Sequence, residues 1–154
     1  MGSEKKIEKS RVHVINGPNL NMLGKREPEV YGSLSLDEIN QGLEIEALGL
    51  GIELAFFQSN HEGMIIDRIH KIFKENSLGL IINPGAFTHT SVALRDALLI
   101  LFCPIVEVHL SNIHKREPFR HKSLLADIVT GQVIGFGHYG YKMALTAIHQ
   151  LSKA

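Results

Sequence analysis

Glu107 and His109 stand two positions apart in Ile105 to Leu110, a run that is otherwise apolar and largely β-branched. Such a run reads as a buried strand. A strand turns successive side chains to opposite faces, so the carboxyl and the imidazole point the same way. A lone carboxylate buried there would cost several kcal/mol, and the imidazole one pleat away is its obvious partner. An imidazole braced in this way can give or take a proton, which is the work of a general acid or base. Ser111, Asn112 and His114 follow where the strand should end, and Arg116 and Arg120 arrive on a loop. Polar, titratable and cationic groups at the carboxyl end of a buried strand are what a crevice in an open α/β sheet requires. The plainer alternative is a core His satisfied by a core Glu, with two solvated arginines beyond.

A second group of candidates lies in the stretch from Gly17 through Ser33, which is rich in Gly and Pro, has little periodicity and carries Asn19, Asn21, Arg26 and Tyr31. Loops of this length inside a compact domain tend to be functional or disordered. Tyr31 can be a base only if deprotonated, and bringing a phenol from ~10 to ~7 needs about 4 kcal/mol of differential stabilisation. A nearby cation in a dry loop could supply it, and Arg26 is the candidate. Arg120, with the hydroxyl and backbone N–H of Ser111, suits a carboxylate or hydroxyls. The set fits proton abstraction beside a carbonyl, with loss of a leaving group, on a small polar anion. No Gly-x-x-x-x-Gly-Lys-Ser/Thr or Gly-x-Gly-x-x-Gly loop occurs, which argues against a nucleotide.

The rest of the chain supplies elements to hold these groups. Arg11 to Asn16 is a first strand that breaks at Gly17-Pro18. Ser35 and Glu38 make a capping box for a helix over Leu36, Ile39, Leu43, Ala47 and Leu48, closed by Gly49 and Gly51. Ile52 to Gln58 is a second strand. Ser59 and Glu62 read as another capping box, ahead of Ile65, Ile66, Ile69, Ile72 and Phe73 at helical spacing. Leu78 to Asn83 is a third strand, ending at Pro84-Gly85, and a helix then runs through Leu94, Ala97, Leu98 and Leu101. A fifth strand is expected around Gln132 to Phe136, and a last helix carries Met143, Ala144, Ala147, Ile148 and Leu151. Strands alternating with helices imply an α/β, flavodoxin-like three-layer fold with a five-stranded parallel sheet. Asn16, Asn83 and His109 then end three strands on one edge, where Asn19, Arg26, Tyr31, Asn83, His89, His109, Ser111, Arg116 and Arg120 can converge.

Composition bounds the function. The 154 residues fit one domain, expected over 11–154, with residues 1–10 a disordered or vector-derived tail. With 16 basic and 16 acidic residues the formal charge is zero, which lends no support to a general nucleic-acid or membrane-surface role. No apolar segment approaches a membrane span, and the charged start has no signal-peptide core, so a cytoplasmic protein is expected. Cys103 is the only cysteine, so no internal disulfide can form. The closest approach to a metal cluster is His109, His114 and His121, without the Cys or Asp spacing of a zinc site, and no metal or cofactor is expected.

Four motifs, taken together, are recognisable. Asn16 to Gly32, Gln58 to Gly63, Asn83 to Asp96 and Glu107 to Arg120 resemble, in order and register, the type II 3-dehydroquinate dehydratases. The resemblance implies a lyase of the shikimate pathway, converting 3-dehydroquinate to 3-dehydroshikimate by anti elimination through an enolate, without cofactor. It further implies that Tyr31 abstracts the C2 proton with Arg26 favouring its ionised form, and that Asn19 holds a water on the enolate. His109 would protonate the departing C1 hydroxyl and Glu107 orient the imidazole. The backbone at Leu110 and Ser111 would bind the substrate carboxylate. Asn83, His89 and Arg120 would bind ring hydroxyls, and Arg116 would help close the loop. Asp96 matches a position that reaches the site from a neighbouring subunit, since the family forms trimers grouped into a homododecamer.

Two rivals follow from the residues alone. One is a non-catalytic module binding a small anion at the same edge. The other is a serine hydrolase built from Ser111 and His109, disfavoured because that spacing is awkward and no Gly-x-Ser-x-Gly elbow is present. An imine mechanism is disfavoured because every lysine lies outside the expected strands.

Overall fold

Runs of Val, Ile and Leu with no charge to break them, as in Leu80 to Ile82, can be satisfied only where a sheet is covered on both faces. The structure, a computed structural model, describes residues 11–154 and has that architecture. The tail expected over residues 1–10 lies outside the described residues. Strands β1 (Arg11–Asn16), β2 (Glu53–Gln58), β3 (Gly79–Asn83), β4 (Ile105–His109) and β5 (Gly131–Ile134) pair in parallel, in the order β2-β1-β3-β4-β5. This is the flavodoxin-like order, and it places a crevice where the chain reverses direction across the sheet, beside β1 and β3.

Helices α1 (Pro28–Tyr31), α2 (Leu36–Leu50), α3 (Glu62–Phe73), α4 (Val92–Leu98) and α5 (Tyr139–Ser152) connect or follow the strands. One face of the sheet (Val12, Val14, Ile81, Val106, Val108) packs on Ile39 and Leu43 of α2 and on Ala144, Leu145 and Ile148 of α5. The other (Ile15, Leu80, Ile82, Ile105) packs on Ile65, Ile69 and Ile72 of α3 and on Leu94 and Leu98 of α4. No helix among the described residues is long and apolar enough to cross a membrane.

The strand ends are locked in register, Asn16 opposite both Gln58 and Asn83. Gly17 makes this possible. Its N–H donates to the Asn83 carbonyl at 2.8 Å, and a Cβ there would meet the Pro84 carbonyl oxygen at 2.4 Å. Only a residue without a side chain fits between the two strand ends.

Several local expectations need correction. The capping box at Ser35 and Glu38 forms, with both reciprocal hydrogen bonds, but the one expected at Ser59 and Glu62 does not. Ser59 Oγ instead accepts from the His61 N–H at 3.0 Å, a tighter turn that leaves His61 as the cap residue. Gly49 lies inside α2, and Gly51, with φ of 70°, ends it in the left-handed region. Leu48 is 83% exposed and Phe73 is 49% exposed, so neither joins its helix's core stripe. Helix α4 stops at Leu98, short of Leu101, and β5 ends at Ile134 because Gly135 turns to a φ of 91°. The Gly17–Ser33 stretch is not structureless. It contains a 3-10 turn over Leu20–Met22 and the single turn α1, which Pro28 opens.

Candidate active site

A cavity of about 220 Å³ opens at the carboxyl ends of β1, β3 and β4. Asn19, Arg26 and Tyr31 reach it from the segment after β1, Asn83 and His89 from the end of β3 and the turn beyond, and His109, Leu110, Ser111, Arg116 and Arg120 from β4 and its loop. Of the residues to which the resemblance gives a role, only Glu107 and Asp96 are absent from its wall, and Asn21 of the loop after β1 lines a separate hollow with Asn16 and Ser35. Glu107 lies directly behind His109. Asp96 is on α4, outside this cavity.

Glu107 is the only acidic side chain among the described residues with no exposed surface. Its Oε2 accepts from His109 Nε2 at 2.5 Å and from Thr88 Oγ1 at 2.7 Å. Its Oε1 accepts from Gln132 Nε2 and from Ser123 Oγ, each at 3.0 Å. Burial alone would push this carboxyl up. The hydrogen bond and charge of His109, with the hydrogen bonds from Thr88 and Gln132, outweigh burial and hold it below the usual carboxylate range. An ionised Glu107 requires His109 Nε2 to carry the proton between them. That leaves Nδ1 as the imidazole atom available to a bound molecule.

His89 has the complementary arrangement. Its Nδ1 lies 2.8 Å from the Lys122 carbonyl, which can only accept, so Nδ1 carries the hydrogen and Nε2 is left as a lone-pair acceptor. Desolvation lowers its pKa, with the Lys122 carbonyl opposing and His109 and Arg120 reinforcing, so the neutral ring is favoured. The ring stacks on that of His109 with centroids 6.4 Å apart, an approach that two imidazolium ions would resist.

Asn83 is oriented by a buried chain. Its Oδ1 accepts from the Gly85 N–H at 3.2 Å, so its Nδ2 faces Tyr141 Oη, at 3.1 Å. Tyr141 in turn donates to Asn16 Oδ1. Burial pushes the Tyr141 phenol up, with the Asn83 hydrogen bond opposing, and keeps it the donor that this chain requires.

Tyr31 stands between two guanidiniums. Arg116 donates to Tyr31 Oη at 2.9 Å, and its guanidinium carbon lies 5.3 Å from the ring centroid. Arg26 lies 5.0 Å from the same centroid and pairs loosely with Glu27 at 3.8 Å. The cation that touches the phenol oxygen is therefore Arg116, whose expected place was in closing the loop. Asn19 adopts φ of 68°, which a short polar side chain tolerates, and its N–H donates to Asn60 Oδ1 at 3.0 Å. Ser111 Oγ accepts from Arg116 at 3.4 Å, and among the described residues no hydrogen bond joins it to His109.

Sequence reasoning missed Thr88, Ser123, Gln132, Asn60 and Tyr141. The one available signal was the burial of Glu107 itself, since a carboxylate in a core strand needs several donors and one imidazole supplies only one.

These pairings make acid stability measurable. Glu107 has a folded value below its ordinary 4.5, so between the two values the unfolded chain binds more protons. Its contribution is complete above about 4.5 and is lost as pH falls through the folded value. Burial lowers the pKa of His13, with Glu75 opposing, so its penalty begins below the ordinary 6.5. The urea midpoint is expected to fall from pH 6.5 downward and to keep falling below 4.5. A midpoint unchanged between pH 7 and pH 4 would contradict this.

Comparison with known proteins identifies the family. A family model described as Dehydroquinase class II matches residues 10–149. A 3-dehydroquinate dehydratase of Halothermothrix orenii is 58% identical over 144 residues, covering 94% of this chain and 97% of that one. One from an Enterobacter species is 57% identical over 148 residues, covering 96% and 98%. The crystal structure of a type II dehydroquinase from Propionibacterium acnes matches with a TM-score of 0.89 at 37% identity, covering 92% of this chain and 97% of that one. One from Butyrivibrio crossotus also gives 0.89, at 42% identity, covering 91% and 97%. With this match running from β1 into α5, the chain belongs to the class II dehydroquinase family.

Proposed function

We propose that residues 11–154 form a single catalytic domain that dehydrates 3-dehydroquinate to 3-dehydroshikimate by anti elimination through an enolate, a step of the shikimate pathway. The observation that carries this reading is the convergence, on one small cavity without a lysine in its wall, of a phenol between two guanidiniums and an imidazole braced by a buried carboxylate. Tyr31, as phenolate, takes the C2 proton, and the electron pair of that bond enters the enolate at C3. Arg116 and Arg26 stand where they offset the charge of the phenolate, and a water on Asn19 stabilises the enolate oxygen. The enolate then expels the C1 oxygen as His109, entering the step as the imidazolium, protonates it from Nδ1 and is left neutral with its Nε2–H on Glu107, so that water leaves and the C1–C2 double bond forms. Glu107 holds the imidazole in the orientation this step needs.

The backbone at Leu110 and Ser111 receives the substrate carboxylate. Asn83, His89 and Arg120 take the ring hydroxyls, with the free Nε2 of His89 as an acceptor. No step calls for a metal or organic cofactor. Asp96 contributes from a neighbouring subunit of a trimer, itself part of a homododecamer. Val92 and Leu99, at 59% and 57% exposure, lie four and three positions from it along the helix and its cap and support a contact there, because apolar groups so placed favour burial against another chain. A cytoplasmic location is in keeping with a chain whose single cysteine can form no internal disulfide.

Purified protein given 3-dehydroquinate, with no added metal or nucleotide, is expected to form a conjugated enone carboxylate that absorbs in the ultraviolet. Borohydride added with substrate is expected to leave activity intact. Folded protein that yields no enone would overturn the assignment, and borohydride inactivation would replace the enolate route with an imine.

A further inference from the structure

Glu107 is buried outside the cavity wall, yet four elements converge on it. Thr88 comes from the turn Gly85–His89, Ser123 from the loop after Pro118–Arg120, Gln132 from β5 and His109 from β4. Every one of these partners donates. Thr88 is fully buried, and its hydroxyl lies 2.7 Å from Oε2, the oxygen that also holds His109. Ser123 Oγ accepts from the Leu125 N–H at 3.0 Å, which leaves its own hydrogen for the carboxylate, with Thr88 Oγ1 2.9 Å away. The same loop is tied to the turn twice more, by the Leu124 N–H on the Thr88 carbonyl at 2.7 Å and by His89 on the Lys122 carbonyl at 2.8 Å.

We propose that Thr88, Ser123 and Gln132 are positioning residues: a collar of hydrogen-bond donors that fixes Glu107 so that one of its oxygens holds His109 Nε2–H and Nδ1 faces the chemistry. The inference rests on the proposed role of His109 as the acid. A carboxylate with fewer donors has two alternatives, to rotate away from His109 or to bind a proton itself, and either removes the brace. Thr88 has the largest share, because its bond is buried and short. Gln132 has a smaller one, because its side chain is partly in water. Of the titratable groups, His109 on β4 and His89 on the neighbouring turn face Glu107, and Arg120 faces His89.

The test compares Thr88→Val, Thr88→Ser, Ser123→Ala and Gln132→Leu with the parent protein. Thr88→Val keeps the shape and removes the donor. It is expected to lower kcat about 10- to 100-fold, the size seen where partners that orient a ligating imidazole are removed. KM for 3-dehydroquinate should stay within about twofold, since the collar lies behind the cavity wall. The acid limb of kcat against pH should move to higher pH, and Thr88→Ser should restore both kcat and the limb. Ser123→Ala and Gln132→Leu should show smaller shifts in the same direction. A role in stability alone would lower the urea midpoint while leaving kcat per folded molecule and the pH limb at parental values, and that result would overturn the proposal.

Nitrogen-15 spectra of the histidine rings read the collar without turnover. The His109 Nε2–H signal should shift in Thr88→Val and in Ser123→Ala, while His114 and His149 stay put. If the parent protein fails to turn over 3-dehydroquinate, the functional reading falls while the ring spectra still decide the collar. An unshifted His109 signal in every variant would refute it, including any case in which Thr88→Val alone fails to fold.

Discussion

Tyr31→Phe is expected to lower kcat by on the order of 10³, within the range that a positioned proton-transfer group contributes, while substrate binding and fold are kept. The substitution removes one oxygen and nothing else. The half-buried ring remains between Arg26 and Arg116, and the lost hydrogen bond from Arg116 should cost only about 1 kcal/mol of stability. If Tyr31 merely lined a binding site for an anion, the two guanidiniums would still bind it and nothing catalytic would be lost. Steady-state kinetics with an independent measurement of ligand affinity separates the outcomes. A kcat within threefold of the parent would show that the base lies elsewhere. Arg116→Ala should also lower kcat, and by more than Arg26→Ala, because only Arg116 reaches the phenol oxygen.

Glu107→Gln is the second large effect, and it strikes turnover and stability together. The amide matches the carboxylate in shape, but one of its two ends becomes a donor. Its neighbours Thr88, Gln132 and His109 all point donors at it, so at least one polar contact becomes repulsive or unsatisfied. A buried polar group left in that state costs about 1–3 kcal/mol. His109 meanwhile loses the charge that fixes its tautomer. Where a buried carboxylate orients a catalytic imidazole in this way, replacing it with an amide has cost about 10⁴ in kcat, and a loss on the order of 10³ to 10⁴ is expected here. The acid-induced fall in the urea midpoint below pH 4.5 should also flatten, because the group responsible no longer titrates. Kinetics at neutral pH and urea titrations at pH 7 and pH 4 would check both. A variant as active as the parent would leave Glu107 a core residue and nothing more.

The fold was legible because the strands are nearly uninterrupted apolar runs that break at Gly17-Pro18 and Pro84-Gly85, and such runs have few alternatives. The shared face of Glu107 and His109 followed from the two-residue period of a strand. What sequence could not give was convergence between distant segments. Thr88 and Ser123 sit 19 and 16 positions from Glu107, and nothing in their local pattern marks them as its partners. The loop and the resemblance both offer Arg26 as a cation for Tyr31, and its guanidinium lies 5.0 Å from the ring centroid. Arg116, 85 positions away, reaches the phenol oxygen because the chain folds its loop back over the cavity. The false capping box at Ser59 is the same lesson on a small scale. The residue types were right, and a nearer N–H took the hydroxyl.

The fate of the two hydrogens on C2 of the substrate tests the central claim most directly. With 3-dehydroquinate deuterated at one C2 position at a time, an anti elimination run by Tyr31 and His109 should release the deuterium trans to the C1 hydroxyl and retain the cis one in the enone. Loss of the cis label, or of both alike, would mean that a phenol base and an imidazole acid do not share the work across this cavity.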